Sequence, residues 1–319
     1  MARHIVPEAE ALIDISHPVL DHGFVRLVDY MGSDAAVAEA ARVSMAGKGV
    51  KTTSDDRSLI RRLVSDLHTS PLEMVEMKFH CCMPIFVARQ WIRHRTANVN
   101  EMSARYSELP ELTYVPEVNQ IAYQNPVNKQ GRGGLVPESV ATKIQEIFRG
   151  DADGAFSTYH ELLGKASKEE CCLDLVSQKE LEENGGISRE LARINLPLSA
   201  YTQWYWKIDL HNLLHFLFLR LDKHAQWEIR QYAEVIARLV KALCPIVWEA
   251  FVDYRLESVR FSGPEAEIIA MVMHSQVDSA LMQSHLGKLS KRELGLLRDK
   301  GKRLGIQWGG VSWPDQEKA

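Results

Sequence analysis

Residues 93–106 read RHRTANVNEMSARY. Arg93, Arg95 and Arg105 there surround His94, Glu101 and Ser103, in a chain whose formal net charge is −4. Positive charge concentrated locally in an acidic chain serves a local anion. Arginine supplies it rather than lysine, and a planar guanidinium binds phosphate or carboxylate through two parallel N–H donors. Asn98, Asn100 and Ser103 add uncharged donors and acceptors. Glu101, set among cations, stays ionised and free to accept hydrogen bonds. A phosphate joined to a heterocycle with amide-like edges would use all of these groups. The competing reading is a solvated basic turn after a helix.

A second constellation runs from Asp209 through His211, His215, Arg220, Asp222 and His224 to Gln226 and Glu228. On a continuous helix at 100° per residue, His211, His215 and Asp222 share one side, and Arg220 and His224 lie roughly opposite. Two histidines four apart make a candidate metal site. HNLLH, however, lacks the glutamate that follows the first histidine in zinc proteases, and capping or core hydrogen bonding explains such histidines equally well. Arg220 stands among Leu213, Phe216 and Leu217, where an arginine needs an anionic or hydrogen-bonding partner. A helix with polar groups on both sides serves two surfaces, as it would in a site between subunits.

Elements must hold these groups in place. Residues 23–32 alternate as a strand, and Asp34 is expected to N-cap the alanine-rich helix that follows. AGKGVKTT at 46–53 lacks the Walker spacing, because Gly49 follows Lys48, and reads as an ordinary loop. Residues 57–67 have helical periodicity. Ser70-Pro71-Leu72-Glu73 is a candidate capping box. Residues 74–82 alternate as a strand, and Pro84 opens a helix in which Arg89 and Arg93, and likewise Gln90 and His94, are four apart. Residues 117–137, rich in Asn, Gln, Gly and Pro, read as an exposed loop. Helices are expected over 143–170 and 188–195, and one long helix over 209–243, ending near Pro245. Beyond Arg260 two short amphipathic helices are expected, the second capped by Ser290 and Glu293.

The composition bounds the class. The chain has 319 residues, 45% apolar and 25% charged, enough for a sizeable core. The acidic balance argues against a general nucleic-acid binder. Four of the five cysteines form adjacent pairs (Cys81-Cys82 and Cys171-Cys172), without disulfide or zinc-knuckle spacing, which suits a reducing cytoplasm. The N-terminus has no apolar core like that of a signal peptide. The most apolar run, 213–221, is too short to span a bilayer. A soluble cytoplasmic protein is expected.

Arg93-His94-Arg95, followed by seven residues and Ser103, resembles the RHRx7S signature of the flavin-dependent thymidylate synthases (ThyX). Arg89-Gln90, Asn100-Glu101, Arg105-Tyr106, Arg193 with Leu196-Pro197, and Leu219-Arg220 through His224-Ala225-Gln226 and Glu228 extend the likeness in order. It covers roughly residues 20–256, leaving 259–319 as a C-terminal helical extension beside a 1–258 catalytic domain. The resemblance implies an α+β fold, helix-dominated, with a mixed sheet flanked by helices. It also implies a homotetramer whose active sites are shared between subunits. The implied reaction converts dUMP to dTMP with methylenetetrahydrofolate as carbon donor and NADPH, through bound FAD, as reductant.

By position in the matched motifs, Gln90, Arg93, Glu101, Ser103, Ala104, Arg105, Arg193 and Arg220 would contact dUMP. Ser70, Arg93, His94, Arg95, Glu101, His211 and His215, with His68 and Asp209, would belong to the FAD site. Some members carry Asn, Arg and Asn where this chain has Asp209, His211 and His215, and an aspartate is a poor neighbour for a diphosphate. No metal is expected.

The chemistry of the residues agrees. A dUMP phosphate is a dianion suited to Arg105 and Arg193. Making carbon 5 of uracil nucleophilic requires negative charge on its amide edge, which Arg220 can stabilise, favouring ionisation at N3. Arg220 is a poor base, since its own pKa exceeds about 12. No cysteine stands in either constellation to attack the ring, and Ser103 is read as a positioning hydroxyl. The redox step belongs to the flavin. A metal-dependent hydrolase built on His211, His215 and Asp222, and a nucleic-acid binder using the first arginines, are the readings from other classes.

Overall fold

The computed structural model describes residues 5–43, 53–126, 129–165, 172–273, 279–308, 311, 313 and 314. The chain divides into two compact units, Met1–Leu256 and Glu257–Ala319. Most of the 46–53 loop, and the end of the helix expected to reach residue 170, lie outside the described residues.

The first unit opens with α1 (Pro7–Glu10), β1 (Ser16–Val19), β2 (Gly23–Met31), α2 (Asp34–Val43) and α3 (Thr53–Ser65). A 3-10 turn at Ser70–Met74 leads to β3 (Glu76–Pro84), α4 (Ile85–Trp91) and β4 (Asn98–Glu101). Then follow β5 (Ala122–Gln124), β6 (Arg132–Leu135), α5 (Glu138–Leu162), α6 (Leu175–Asn184), α7 (Arg189–Ala192) and β7 (Tyr201–Asp209). The unit closes with α8 (Leu210–Arg220), α9 (Trp227–Leu243) and α10 (Pro245–Phe251).

Five strands form one sheet in the order β1-β2-β3-β7-β4, each named pair antiparallel. One parallel bridge joins Ile13 to Leu27. The α+β expectation holds. β3 lies at the centre, with Met77, Phe79 and Cys81 fully buried at period two. Gly23 makes room for the Tyr232 hydroxyl, which donates to the Cys82 carbonyl at 2.9 Å. α9 buries Ile229, Tyr232, Ala233, Ile236 and Val240 at helical spacing.

Trp91, fully buried at the end of α4, packs on Trp204 and Trp206 of β7 at 5.6 and 5.0 Å and on Phe216 of α8 at 5.1 Å. This one side chain fixes α4 and α8 against the sheet, and so fixes both Arg93-His94-Arg95 and Arg220. Burial of this kind is worth about 3–5 kcal/mol against truncation to alanine.

Several expectations are corrected. Helix 209–243 is two helices: Asp222 accepts from the His224 backbone N–H at 2.7 Å, and the chain turns before α9. Asp34 begins α2, but its carboxylate accepts from Ile246 and Val247 N–H at 2.8 and 3.0 Å and so caps α10 instead. Ser70 makes no capping box; Thr69 precedes the 3-10 turn, without a side-chain cap. The 117–137 segment contains a hairpin, β5 paired with β6.

Among the described residues the second unit holds three helices rather than two, α11 (Gly263–Met273), α12 (Ser279–Leu286) and α13 (Lys291–Arg303). Its core is Ile268, Met282, Leu286, Leu294, Leu297 and Trp313. The capping box of Ser290 and Glu293 forms as expected. No helix among the described residues is long and apolar enough to cross a membrane.

Candidate functional site

α4 ends at Trp91, and the chain turns before β4, so Arg93, His94 and Arg95 emerge together beside α8. They line a cavity of about 310 Å³ with Thr96, Ile208, Asn212, His215, Leu219 and Arg220. Three guanidinium groups face this space, and among the described residues no carboxylate lines it. Among the described residues neither Arg93 nor Arg95 has a carboxylate partner.

Arg220 Nε donates to His94 Nε2 at 3.0 Å. Burial, then the charge of Arg220, then His215, pushes the His94 pKa down to about 4. The ring is therefore neutral at pH 7, with Nε2 accepting and the proton on Nδ1. Its edge packs on Phe216 at 5.0 Å. Burial also lowers the Arg220 pKa, without bringing a guanidinium near neutrality. Having given Nε to His94, Arg220 keeps its terminal N–H groups for a ligand.

His215 lines a second, apolar cavity of about 70 Å³ together with His211, Thr69, Leu72 and Phe218. Ser70 and His68 flank Thr69 and are exposed. Leu67, just before them, holds a left-handed backbone at φ 62°, a conformation that costs a leucine energy. Asp209 is the N-cap of α8: it accepts from Asn212 N and Nδ2 at 2.9 and 2.7 Å. That cap is a structural use of the carboxylate, and it answers why an aspartate stands here. Asn212 and Thr96 line the main cavity and were not singled out from sequence. Asn212 sits three residues before His215 on the same helical ridge, which is the signal that marks it.

Arg220 and His215 share one cavity, although continuous-helix geometry placed them on opposite sides. α8 ends at Arg220, so its long side chain is free to turn toward His94. Asp222 lies beyond the helix and bonds His224. Among the described residues no three His, Cys, Asp or Glu side chains converge on a metal position.

The remaining motif residues lie elsewhere. β4 pairs with β7 so that Asn98 faces Lys207 and Glu101 faces Trp204, and Met102 N–H donates to the Gln203 carbonyl at 2.8 Å. From Ile208, at the cavity, to Gln203 is five strand residues, or about 17 Å. Glu101 accepts from Thr202 Oγ1 at 2.7 Å. Ser103 Oγ accepts from Arg105 N–H at 3.3 Å. Arg105 pairs with Glu190 at 2.9 Å, both more than half exposed. Ala104 is buried against Phe156 and Ala200. Arg193 begins a 3-10 turn after α7 and has no carboxylate partner among the described residues. Gln90 keeps a buried Oε1 with no hydrogen-bond partner. Near these residues in the chain, Tyr106, Ile194 and Leu198 are exposed at 82%, 69% and 56%.

Among the described residues no cysteine lines either cavity. Cys81, Cys82 and Cys244 are buried. Burial raises Cys81 and Cys244 well above the usual thiol range and pushes Cys82 up to about 11, so none is a ready thiolate.

The donor set fits a diphosphate-bearing ligand: guanidinium groups without carboxylate partners, imidazole and amide donors, and, among the described residues, no lining carboxylate. Comparison with known proteins gives the family. The family model described as thymidylate synthase complementing protein matches residues 26–246. The flavin-dependent thymidylate synthase of Ehrlichia ruminantium (strain Gardel) is 47% identical over 299 residues, covering 93% of each chain. That of Wolbachia pipientis wMel is 48% identical over 298 residues, covering 93% of this chain and 97% of the other. Among solved structures, the UMP/dUMP methylase PolB from Streptomyces cacaoi, bound with 5-Br dUMP, is 31% identical with a TM-score of 0.62, covering 75% of this chain and 98% of that one. A match over 93% of the chain must include most of residues 257–319, so the C-terminal unit, expected to fall outside the likeness, is shared with those relatives.

Proposed function

The chain belongs to the flavin-dependent thymidylate synthase family, and from that premise we propose that it methylates dUMP to dTMP, with methylenetetrahydrofolate as carbon donor and NADPH as reductant. The observation that carries this reading is the cavity of Arg93, Arg95 and Arg220, in which Arg220 rests on a neutral imidazole.

FAD, when bound, supplies the two-electron redox chemistry that carries the transferred carbon to the methyl level. Arg93, His94, Arg95 and His215 would hold it in the main cavity, with His211, Ser70 and His68 at the adjoining apolar one. Asp209 contributes by fixing the first turn of α8, on which His211 and His215 sit.

The chain's own residues account for the activation of dUMP. His94 accepts from Arg220 Nε and aims the guanidinium without competing for its charge. The terminal N–H groups then stabilise negative charge on the uracil amide edge, favouring ionisation at N3 and nucleophilic character at carbon 5. Gln90 brings an unpaired amide oxygen to a base N–H. Glu101, steadied by Thr202, and Ser103 orient the nucleotide. The Ala104 backbone, Arg105 and Arg193 take the phosphate, and Arg105 exchanges its exposed pairing with Glu190 for the dianion. No thiol attacks the ring, in keeping with the raised pKa values of the buried cysteines.

The same geometry supports the reading that sites are shared between subunits. Within one chain the group around Arg220 and the group around Ser103 stand at opposite ends of β4. A homotetramer that sets one subunit's Ser103, Arg105 and Arg193 against another's Arg220 would reunite them, and the exposed side chains of Tyr106, Ile194 and Leu198 are suited to be covered there. We place the catalytic role in residues 1–258, with 259–319 as a helical extension. Its location is the cytoplasm, where unpaired thiols such as Cys81 and Cys82 persist.

The test is the visible spectrum of the purified protein, oxidised and then anaerobic with NADPH, with and without dUMP. A flavin spectrum that bleaches with NADPH and shifts with dUMP is the expected result. A protein that neither contains nor takes up FAD would remove the reading.

A further inference from the structure

A cavity of about 930 Å³ opens between the β5–β6 hairpin and the segment that joins α8 to α9. It is separate from the cavity at Arg220, although the joining segment starts at the very next residue. Its volume lies within the roughly 300–1,000 Å³ of small-molecule sites. Among the described residues its charged lining has one sign: Lys223, Arg132 and Arg230, with the His224 imidazole and no carboxylate. In a chain of net charge −4 that is a local excess.

The carboxylates that balance these groups lie outside the lining. Glu228, 3% exposed, accepts from Arg132 Nη2 at 2.5 Å, Glu234 lies 3.8 Å from Arg230 Nε, and Asp222 lies 2.8 Å from His224 Nδ1. Arg132 Nη1 also donates to Gln120 Oε1 at 2.9 Å, and Arg230 Nη1 to the Lys223 carbonyl at 3.3 Å. Both arginines keep N–H donors beyond these contacts, since a guanidinium has five. Lys223 is exposed; the Asp222 carboxylate feels its charge, but no hydrogen bond or ion pair within 4 Å holds its ammonium among the described residues. Trp227 forms part of the wall, with the Arg132 guanidinium 5.7 Å from its ring centroid. Cations with spare donors beside an indole suit an anionic chain attached to a flat ring.

We propose that this cavity binds the anionic arm of a co-substrate, through Lys223, Arg132 and Arg230. The inference rests on the methyl-transfer reading only for the source of that arm. Two sources share the chemistry, the phosphates of a reduced dinucleotide and the carboxylates of a γ-glutamyl tail on a reduced folate. The hairpin supplies Arg132, and the segment following Arg220 supplies Lys223, so an occupant would tie the two together.

The test is titration calorimetry on the full-length, flavin-bound protein, with 2′,5′-ADP as the phosphate probe and tetra-γ-glutamate as the carboxylate probe. The expected result is saturable binding of one probe, which identifies the source. Lys223→Glu should weaken it by about tenfold or more, and Arg230→Gln should also weaken it, with dUMP affinity unchanged. Lys223 is exposed, so its reversal spares the core, and circular dichroism checks the fold. Binding of neither probe, or equal binding to wild type and both variants, overturns the site. Formation of dTMP from dUMP is measured on the same preparation. Turnover without probe binding defeats the site alone, whereas probe binding without turnover defeats the methyl-transfer reading and leaves the site standing.

Discussion

Arg220 Nε donates to His94 Nε2 at 3.0 Å, and the imidazole that receives this bond is neutral at pH 7. A protonated imidazole would have no lone pair to offer and would set a second cation against the first. The bond therefore exists only while His94 stays neutral, and that couples the aim of Arg220 to pH.

The sign of the pH effect follows. The folded-state pKa of His94, about 4, lies below the 6.5 of an unperturbed imidazole. As pH falls, the unfolded chain takes up this proton first. The stabilising contribution is complete above about pH 6.5 and is lost progressively down to about pH 4. Urea unfolding midpoints should decline across that window. In His94→Gln, which keeps an acceptor for Arg220 but does not titrate, the decline should be shallower. An identical slope in the two proteins would place the titrating group elsewhere.

Asp209 should behave as a helix cap. Asp209→Ala should cost about 1 kcal/mol of stability, and Asp209→Asn, which can still accept from Asn212 N–H, a few tenths. Flavin retention in Asp209→Asn should match wild type, as read from the absorbance ratio of flavin to protein. Loss of flavin from an otherwise stable Asn variant would mean that the carboxylate also serves the ligand.

Glu228 is buried beside Tyr114 and Arg132, with Oε2 unpartnered. Removing Arg132 strands that carboxylate. Arg132→Met should cost about 1–3 kcal/mol, below the figure for a fully buried pair because Arg132 is itself a third exposed. Adding Glu228→Gln should recover much of the loss. Chemical denaturation of the two single variants and the double variant gives the coupling, and strictly additive losses would show that the pair does not act as a unit.

Cys81 and Cys82 lie on the central strand, and burial holds both thiols protonated. Cys82→Ala should lose about 1 kcal/mol of stability and keep most of its turnover, as should Cys81→Ala. Abolished turnover in a folded variant would reinstate a thiol mechanism.

What was legible in the sequence follows from locality. The alternation of residues 23–32 and 74–82 identified β2 and β3, because a strand's burial period is written along the chain. The likeness of Arg93-His94-Arg95 and Ser103 to a family signature pointed to the chemistry. It did not show that β4 lies between its two ends and carries Ser103 about 17 Å along the sheet from the cavity. The break after Arg220 was missed because Asp222 turns the chain with its own carboxylate, without Gly or Pro to announce it. Asp34 was read as the cap of the helix beside it, yet its partners are Ile246 and Val247, which only the fold brings near. Asn212 and Thr96 escaped notice because an amide and a hydroxyl carry little signal until a wall of arginines surrounds them.

The most direct measurement is tritium release from dUMP labelled at carbon 5, with methylenetetrahydrofolate and NADPH, comparing wild type with Arg220→Ala at matched flavin content. Wild type should release tritium and form dTMP. Arg220→Ala should retain flavin and fall by about 10²–10³-fold in turnover, the loss typical of removing one preorganised electrostatic donor. Undiminished release from Arg220→Ala would contradict the role given to that residue, and no release from flavin-bound wild type would contradict the function itself.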